Sequence, residues 1–183
     1  MFIQTEQTPN PATLKFLPGR LVMESGTANF TTAEDAQRSP LASQIFGVDG
    51  VTGVFLGSDF VTVTKEMEQE WHVLKPAILG VIMEHFTSGR PVIEAAAGTV
   101  AEGEGEDDEV VAQIKELIET RVRPAVAQDG GDIIFRGFED GIVYLHMQGS
   151  CSGCPSSTAT LKAGIENMLR HYVPEVVEVR ASQ

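Results

Sequence analysis

A stretch of small, glycine-rich and acidic residues interrupts the sequence near its middle. It reads VIEAAAGTVAEGEGEDDE over residues 92–109, and its last nine residues contribute six carboxylates and no basic side chain. Because the stretch has no apolar periodicity, it buries too little surface to offset the entropy lost on ordering. We predict a flexible acidic linker over residues 91–107, which divides the chain into an N-terminal unit at 1–90 and a C-terminal unit at 108–183.

Composition and net charge indicate what class of protein this is and which partners it is unsuited to bind. The chain has 183 residues, 42% of them hydrophobic, as in soluble globular proteins, and its formal net charge is -13. That charge disfavours nucleic acid and anionic membranes as partners, and no apolar run approaches the roughly 20 residues that span a bilayer. The N-terminus resembles neither a secretory signal nor an Arg-rich transit peptide. We therefore expect a bacterial cytoplasmic protein, with the mature form of a mitochondrial matrix protein as the alternative.

The N-terminal unit shows a mixture of strand and helix signals. TLKFL predicts a short strand, and Ser39 followed by Pro40 predicts a helix start. Two β-rich runs flank Gly57 and predict a hairpin. A helical stripe in WHVLKPAILGVIMEHF ends at Gly89, and Pro76 predicts that the regular helix begins there. Since we find no catalytic constellation in this unit, we expect it to recognise other proteins.

The C-terminal unit predicts the order helix, strand, strand, CxxC motif, helix, strand. Pro124 interrupts the first helix and the DGGD run at 129–132 ends it, while IIFRGF and IVYLHM flank a turn at Gly141. Pro155 opens the second helix, whose apolar face includes Leu161, Ile165, Met168, Leu169 and Tyr172. A run of valines at 176–179 predicts a last strand. The fold class is therefore α+β, with two small α+β domains joined by the flexible acidic linker.

The chemistry of the chain centres on its two cysteines, Cys151 and Cys154, in the segment QGSCSGCPSST. They lie on a Gly/Ser turn at the start of a predicted helix, where unpaired N–H groups and the helix dipole lower a thiol pKa. We expect Gly149 and Gly153 to leave the sulfurs exposed. From residue 148 to residue 161 only the thiols ionise, so a second copy of the acidic chain could approach this surface closely.

Three functions remain open for this pair of thiols. Two chains could supply the four thiolates that a [4Fe–4S] cluster requires, or the same four thiolates could hold a structural zinc. A CxxC motif between a strand and a helix also occurs in thioredoxin-like oxidoreductases. The redox alternative is disfavoured because only one helix and one short strand follow the motif, which is too little to build a thioredoxin-like sheet.

Longer stretches carry a family resemblance. RPAVAQDGGDIIF and GIVYLHMQGSCSGCPSSTATLKAGIENMLRHYVPEVVEV resemble the C-terminal domain of the NifU family of iron–sulfur scaffold proteins, and IQTEQTPNPATLKFLPG, VTVTK and KPAILGVIMEHF resemble the Nfu-type N-terminal domain. The resemblance implies a non-enzymatic carrier that takes a [4Fe–4S] cluster from upstream assembly factors. It further implies that Cys151 and Cys154 of two subunits hold the cluster in a homodimer, which passes it to apo-proteins.

Overall fold

The computed structural model describes residues 2–94, 108–152 and 155–182, although the side chains of 155–157 are not described. The chain divides into two compact units between residues 97 and 98. Each unit combines helices with a β-sheet, which confirms the α+β class. Within the described residues, no helix combines the length and apolar character needed to cross a membrane.

The first unit contains a five-stranded antiparallel sheet and three helices. Its elements are β1 (Gln4–Gln7), β2 (Thr13–Leu17), β3 (Ala28–Phe30), α1 (Ala33–Ala36), α2 (Pro40–Phe46), β4 (Val51–Leu56), β5 (Val61–Lys65) and α3 (Trp71–Ser88). The strand order is β1-β2-β5-β4-β3. The predicted TLKFL strand, the hairpin around Gly57 and the helix start at Pro40 are confirmed. The Ser39 hydroxyl caps α2 by accepting a hydrogen bond from the Ala42 N–H at 3.1 Å.

Helix α3 begins at Trp71, five residues before Pro76, so the predicted start at Pro76 is wrong. Tertiary contacts hold the turn that precedes the proline. The Trp71 indole N–H donates to the Pro11 carbonyl at 3.2 Å, and Leu74 is buried in the core. These contacts compensate for the single helical hydrogen bond that a proline removes. The helix ends as predicted at Gly89, which adopts the left-handed conformation with φ +69°.

The first core lies between the sheet and helices α2 and α3. Its largest fully buried side chains are Phe16, Phe30, Leu41, Ile45, Leu56, Ile78 and Ile82. The start of the predicted linker also contacts this unit. The Ser39 hydroxyl donates to the Val92 carbonyl at 2.5 Å, and the Glu94 N–H donates to the Arg38 carbonyl at 3.0 Å. Residues 95–107 lie outside the described residues, so the flexibility of the linker stays a prediction.

The second unit follows the predicted order of elements. They are α4 (Glu109–Leu117), a π-helical turn (Ile118–Val122), α5 (Arg123–Gln128), β6 (Gly131–Glu139), β7 (Ile142–Gly149), α6 (Pro155–Tyr172) and β8 (Glu178–Ala181). Strand β7 pairs antiparallel with β6 and parallel with β8, in the order β6-β7-β8. The last strand begins at Glu178, so of the predicted valines only Val179 belongs to it.

The helices of the second unit cover a core formed with the three strands. Ile165 and Leu169 of α6 are buried and Leu161 is partly buried, which confirms most of the predicted apolar face. Tyr172, at the last position of α6, is 48% exposed instead. The centre of its ring lies 5.1 Å from the guanidinium carbon of Arg121. Tyr172 therefore packs against a charged side chain at the surface and is not part of the core.

Strand β6 contains a β-bulge on the outer edge of the sheet. Phe135 pairs with Leu145 while Gly137 pairs with Tyr144, which leaves Arg136 as an extra residue between them. Arg136 is exposed. An extra residue of this kind bends the strand and increases its local twist.

Candidate functional site

The predicted site lies where β7 passes into α6. Strand β7 ends at Gly149, which adopts a positive φ of 63°, and Ser150 and Cys151 follow directly. Ser152 closes the turn, since its N–H and its hydroxyl both donate to the Gly149 carbonyl, at 3.2 Å and 3.0 Å. Gly153 and Cys154 lie outside the described residues, so the place of Cys154 in the site stays a prediction.

The Cys151 side chain is buried, with only 6% of the residue exposed. The expectation of an uncovered sulfur at this position is therefore wrong, and the cause lies on the neighbouring strand. Gly131, the first residue of β6, faces the sulfur so closely that a Cβ atom there would lie 2.4 Å from Cys151 Sγ. The space that a side chain at position 131 would fill is occupied by the thiol, so Cys151 packs as part of the second core.

Burial also changes the acidity of the thiol. It raises the pKa of Cys151 to about 12, and the negative charges of Asp129 and Asp132 contribute to the rise. The hydrogen bond with Ser150 lowers the pKa, but its effect is smaller than that of burial. The predicted lowering of this pKa by the helix terminus is therefore wrong for Cys151. Since metals bind the thiolate, a metal must displace a proton when it binds here.

An ion-pair network anchors the DGGD segment beside the cysteine. The Arg123 guanidinium binds Asp132 through two hydrogen bonds, Nε to Oδ1 and Nη2 to Oδ2, both 2.9 Å long. Arg123 Nη1 also binds Glu119 Oε1 at 2.6 Å. Asp132, which is 3% exposed, additionally accepts the Ile133 N–H at 2.8 Å. The two carboxylates raise the pKa of Arg123, so its charge compensates the buried Asp132.

The DGGD run marks a helix end in the sequence, but no periodic pattern identifies Arg123 as the partner of its second aspartate. The residues are nine positions apart and belong to different elements, so no helical or strand periodicity connects them. The sequence feature that could have identified this pair is a basic residue followed by two aspartates at a predicted helix–strand junction. A buried carboxylate at such a junction requires a cationic or hydrogen-bonding partner.

Hydrogen bonds fix the backbone around Cys151 on both sides. The Ser150 hydroxyl donates to the Asp129 carbonyl, and the Ser150 N–H donates to the Gly130 carbonyl at 3.3 Å. On the other side, the Thr158 hydroxyl of α6 donates to the Cys151 carbonyl at 3.1 Å. The first cysteine of the motif is therefore held in place by both the DGGD turn and the first turns of α6.

One side of this site opens into a cavity of about 240 Å³. Its lining residues are His146, Met147, Cys151, Ser152, Thr158, Ala181 and Ser182. His146 Nδ1 lies 3.2 Å from the Ser182 carbonyl oxygen. Lys162 is not among the residues that line this cavity, and its ammonium lies 3.9 Å from Glu178 Oε1. Among the described residues, no three His, Cys, Asp or Glu side chains form a group that could hold a metal ion.

Comparisons with known proteins cover both units. Residues 3–89 match the family model described as the scaffold protein Nfu/NifU N terminal, and residues 114–180 match the NifU-like domain. The chain is 57% identical over 177 residues to the human NFU1 iron-sulfur cluster scaffold homolog, mitochondrial, covering 96% of this chain and 70% of that protein. It is 56% identical over 181 residues to NifU-like protein 5, mitochondrial, of Arabidopsis thaliana, covering 96% and 66%.

A solved structure also matches part of the chain. The solution NMR structure of a NifU-like protein from Saccharomyces cerevisiae is 29% identical, with a TM-score of 0.48, and covers 52% of this chain and 87% of its own. The names of the human and Arabidopsis relatives place those proteins in mitochondria. They give no support to the bacterial cytoplasmic location that we expected from the sequence.

Proposed function

The chain belongs to the Nfu/NifU family of iron–sulfur cluster scaffold proteins, and on that premise we propose that it carries a [4Fe–4S] cluster. The cluster is its cargo, held by Cys151 and Cys154 of two chains and delivered to apo-proteins. We further propose that the protein is not an enzyme. We also propose that it acts in mitochondria, because the names of its human and Arabidopsis relatives describe them as mitochondrial.

Ligand counting is the observation that carries this proposal. The chain contains two cysteines, whereas the usual protein ligation of a [4Fe–4S] cluster is four. A homodimer supplies the complete set from two CxxC motifs. The segment 148–161 supports the close approach of two acidic chains, because none of its own residues apart from the thiols ionises.

The acidity of Cys151 disfavours the thioredoxin-like alternative. Oxidoreductases of that type attack with a thiolate whose pKa is lowered toward neutrality, whereas burial raises the pKa of Cys151 to about 12. A metal, by contrast, replaces the proton on the thiol directly. The raised pKa of Cys151 favours the protonated thiol in the metal-free chain, which disfavours nucleophilic attack by this sulfur.

Sharing the cluster between chains also provides a route for its release. When a target's thiolates replace the pair from one subunit, half of the protein ligands leave together, and the second pair exchanges in the same way. Each exchange forms one iron–sulfur bond for each one broken and leaves the cluster charge unchanged. Upstream assembly factors load the dimer by the reverse exchange.

Anaerobic reconstitution with iron and sulfide tests the proposal. We expect a brown dimer with about four irons per two chains, and loss of cluster binding in Cys151→Ala and in Cys154→Ala. Ser152→Ala is the matched control, because it alters the same turn but retains both thiols. A cluster retained by either cysteine variant, or a fully loaded monomer, would contradict the proposal. A colourless protein that reduces insulin disulfides would support the redox alternative, and zinc bound without sulfide would support the structural site.

A further inference from the structure

A groove of about 660 Å³ lies in the first unit. One wall is the loop of residues 20–25 that follows β2, and the other is the segment of residues 89–93 that follows α3; Phe86 lies between them. This volume falls within the range of about 300–1,000 Å³ that is usual for binding sites. The groove contains no residue of the CxxC motif, so the proposed cluster site does not account for it.

Hydrogen bonds to the body of the unit hold both walls of the groove in place. The N–H groups of Val22 and Met23 donate to the Ser58 carbonyl in the β4–β5 turn, at 2.7 Å and 3.2 Å. The opposite wall is held by the bond from the Ser39 hydroxyl to the Val92 carbonyl. A groove whose walls are already fixed loses little conformational entropy when a ligand binds.

The groove combines an apolar surface with two arginines. Leu21 is 60% exposed beside it, and the Arg20 guanidinium carbon lies 5.4 Å from the centre of the Phe86 ring. Arg90 lines the opposite wall and is exposed. In the described part of the chain, neither arginine forms an ion pair with a carboxylate.

The charge of the groove contrasts with that of the unit around it. Residues 2–94 contain 6 basic and 11 acidic side chains, a net charge of -5, yet two of the six basic side chains line the groove. His85 packs edge-on against Phe86 at 5.4 Å, and burial together with the charge of Arg90 lowers its pKa. The lowered pKa favours the neutral form of His85, so the positive charge of the groove comes from Arg20 and Arg90.

We propose that this groove binds an extended, acidic and apolar segment of a partner protein. Carboxylates of the segment pair with Arg20 and Arg90, while a large apolar side chain covers Leu21 and Phe86. Glu24, which also lines the groove, repels a carboxylate at its own position and so favours one orientation of the segment. The first unit would then bind partner proteins through this groove, a role separate from holding the cluster.

Fluorescence anisotropy on the full-length protein tests this proposal. The probe is a labelled pool of heptapeptides, each with two Asp or Glu and two Leu or Phe, and the matched pool replaces the acids with Asn and Gln. We expect saturable binding of the acidic pool. The pool with Asn and Gln should bind at least tenfold more weakly, because the loss of even one charge-assisted hydrogen bond accounts for about tenfold. Binding should also weaken as salt concentration rises.

Variants of the two arginines test whether the peptides bind in the groove. We expect Arg20→Gln and Arg90→Gln each to weaken binding of the acidic pool about tenfold. Lys75→Gln, which removes a charge from α3 outside the groove, should leave the affinity within about twofold. All three variants should keep the thermal unfolding midpoint and the reconstituted iron content of the wild type. No binding by the acidic pool, equal binding of the two pools, or an equal loss in Lys75→Gln would overturn the proposal.

Discussion

A single methyl group at position 131 tests whether the Cys151 sulfur depends on the glycine opposite it. In Gly131→Ala the new Cβ would lie 2.4 Å from Cys151 Sγ, 2.9 Å from the Gln148 carbonyl oxygen and 3.0 Å from the Cys151 N. Two of these three atoms belong to the backbone, so a side-chain rotation alone cannot relieve the contact. Gly131 does not have a positive φ, so the cost arises from overpacking, which is typically about 1–3 kcal/mol.

Two further variants isolate this contact. Gly137→Ala is the matched control in the same strand, because no atom lies within 4 Å of its added Cβ; it should be neutral or stabilising by up to about 1 kcal/mol. In the double variant Gly131→Ala/Cys151→Ala the nearest clashing atom is gone. We therefore expect the alanine at position 131 to cost less in that background, with a coupling of about 1 kcal/mol.

Urea unfolding measures these differences unit by unit. Both tyrosines, Tyr144 and Tyr172, belong to the second unit and the only tryptophan, Trp71, to the first, so the two fluorescence signals follow separate transitions. Gly131→Ala should destabilise the tyrosine transition, leave the tryptophan transition unchanged and lower the iron bound on reconstitution. The reasoning is refuted if Gly131→Ala matches the wild type in both stability and iron content, or if Gly137→Ala costs as much.

Two other predictions concern charges near the site. The folded state raises the pKa of Cys151 from about 9 to about 12, so its contribution to stability is complete below pH 9 and is lost as pH rises toward 12. Urea titrations of the metal-free protein should show the stability of the wild type relative to Cys151→Ala falling by up to about 1.4 kcal/mol per pH unit above pH 9; a constant difference would contradict this. Arg123→Gln removes the guanidinium that pairs with the buried Asp132 carboxylate and should cost about 3 kcal/mol in the tyrosine transition. Glu119→Gln removes only the exposed partner and should cost less than about 1 kcal/mol, so equal losses would count against the network.

Local chemistry explains which elements the sequence predicted correctly. The β6–β7 hairpin is an example, because Asp140 and Gly141 adopt φ values of 51° and 79°, the two successive positive angles that favour an Asp-Gly pair in a tight turn. Ser39 and Gly89 likewise mark helix ends through their own hydrogen-bonding and conformational preferences. In each case the deciding residues are neighbours in the chain, so a short window of sequence contains the cause.

The failed predictions depend on residues that are distant in sequence. Residues 148–161 alone favour a reactive thiol at the helix terminus, whereas the burial of the Cys151 sulfur depends on Gly131 in another strand. The Arg123–Asp132 pair connects two elements in the same way. Trp71 begins α3 early because it contacts Pro11, sixty residues away. Contacts of this kind follow from the register of the strands and the packing of helices, which periodicity alone does not specify.

The bulge in β6 has a consequence for how copies of this protein can meet. An open edge strand is a template on which a second molecule can extend the sheet. The β6 edge instead presents an out-of-register kink with the charged Arg136 at its centre, which disrupts continuous backbone pairing between molecules. Self-association along this edge is thereby discouraged, which protects the folded chain from polymerising into ribbons.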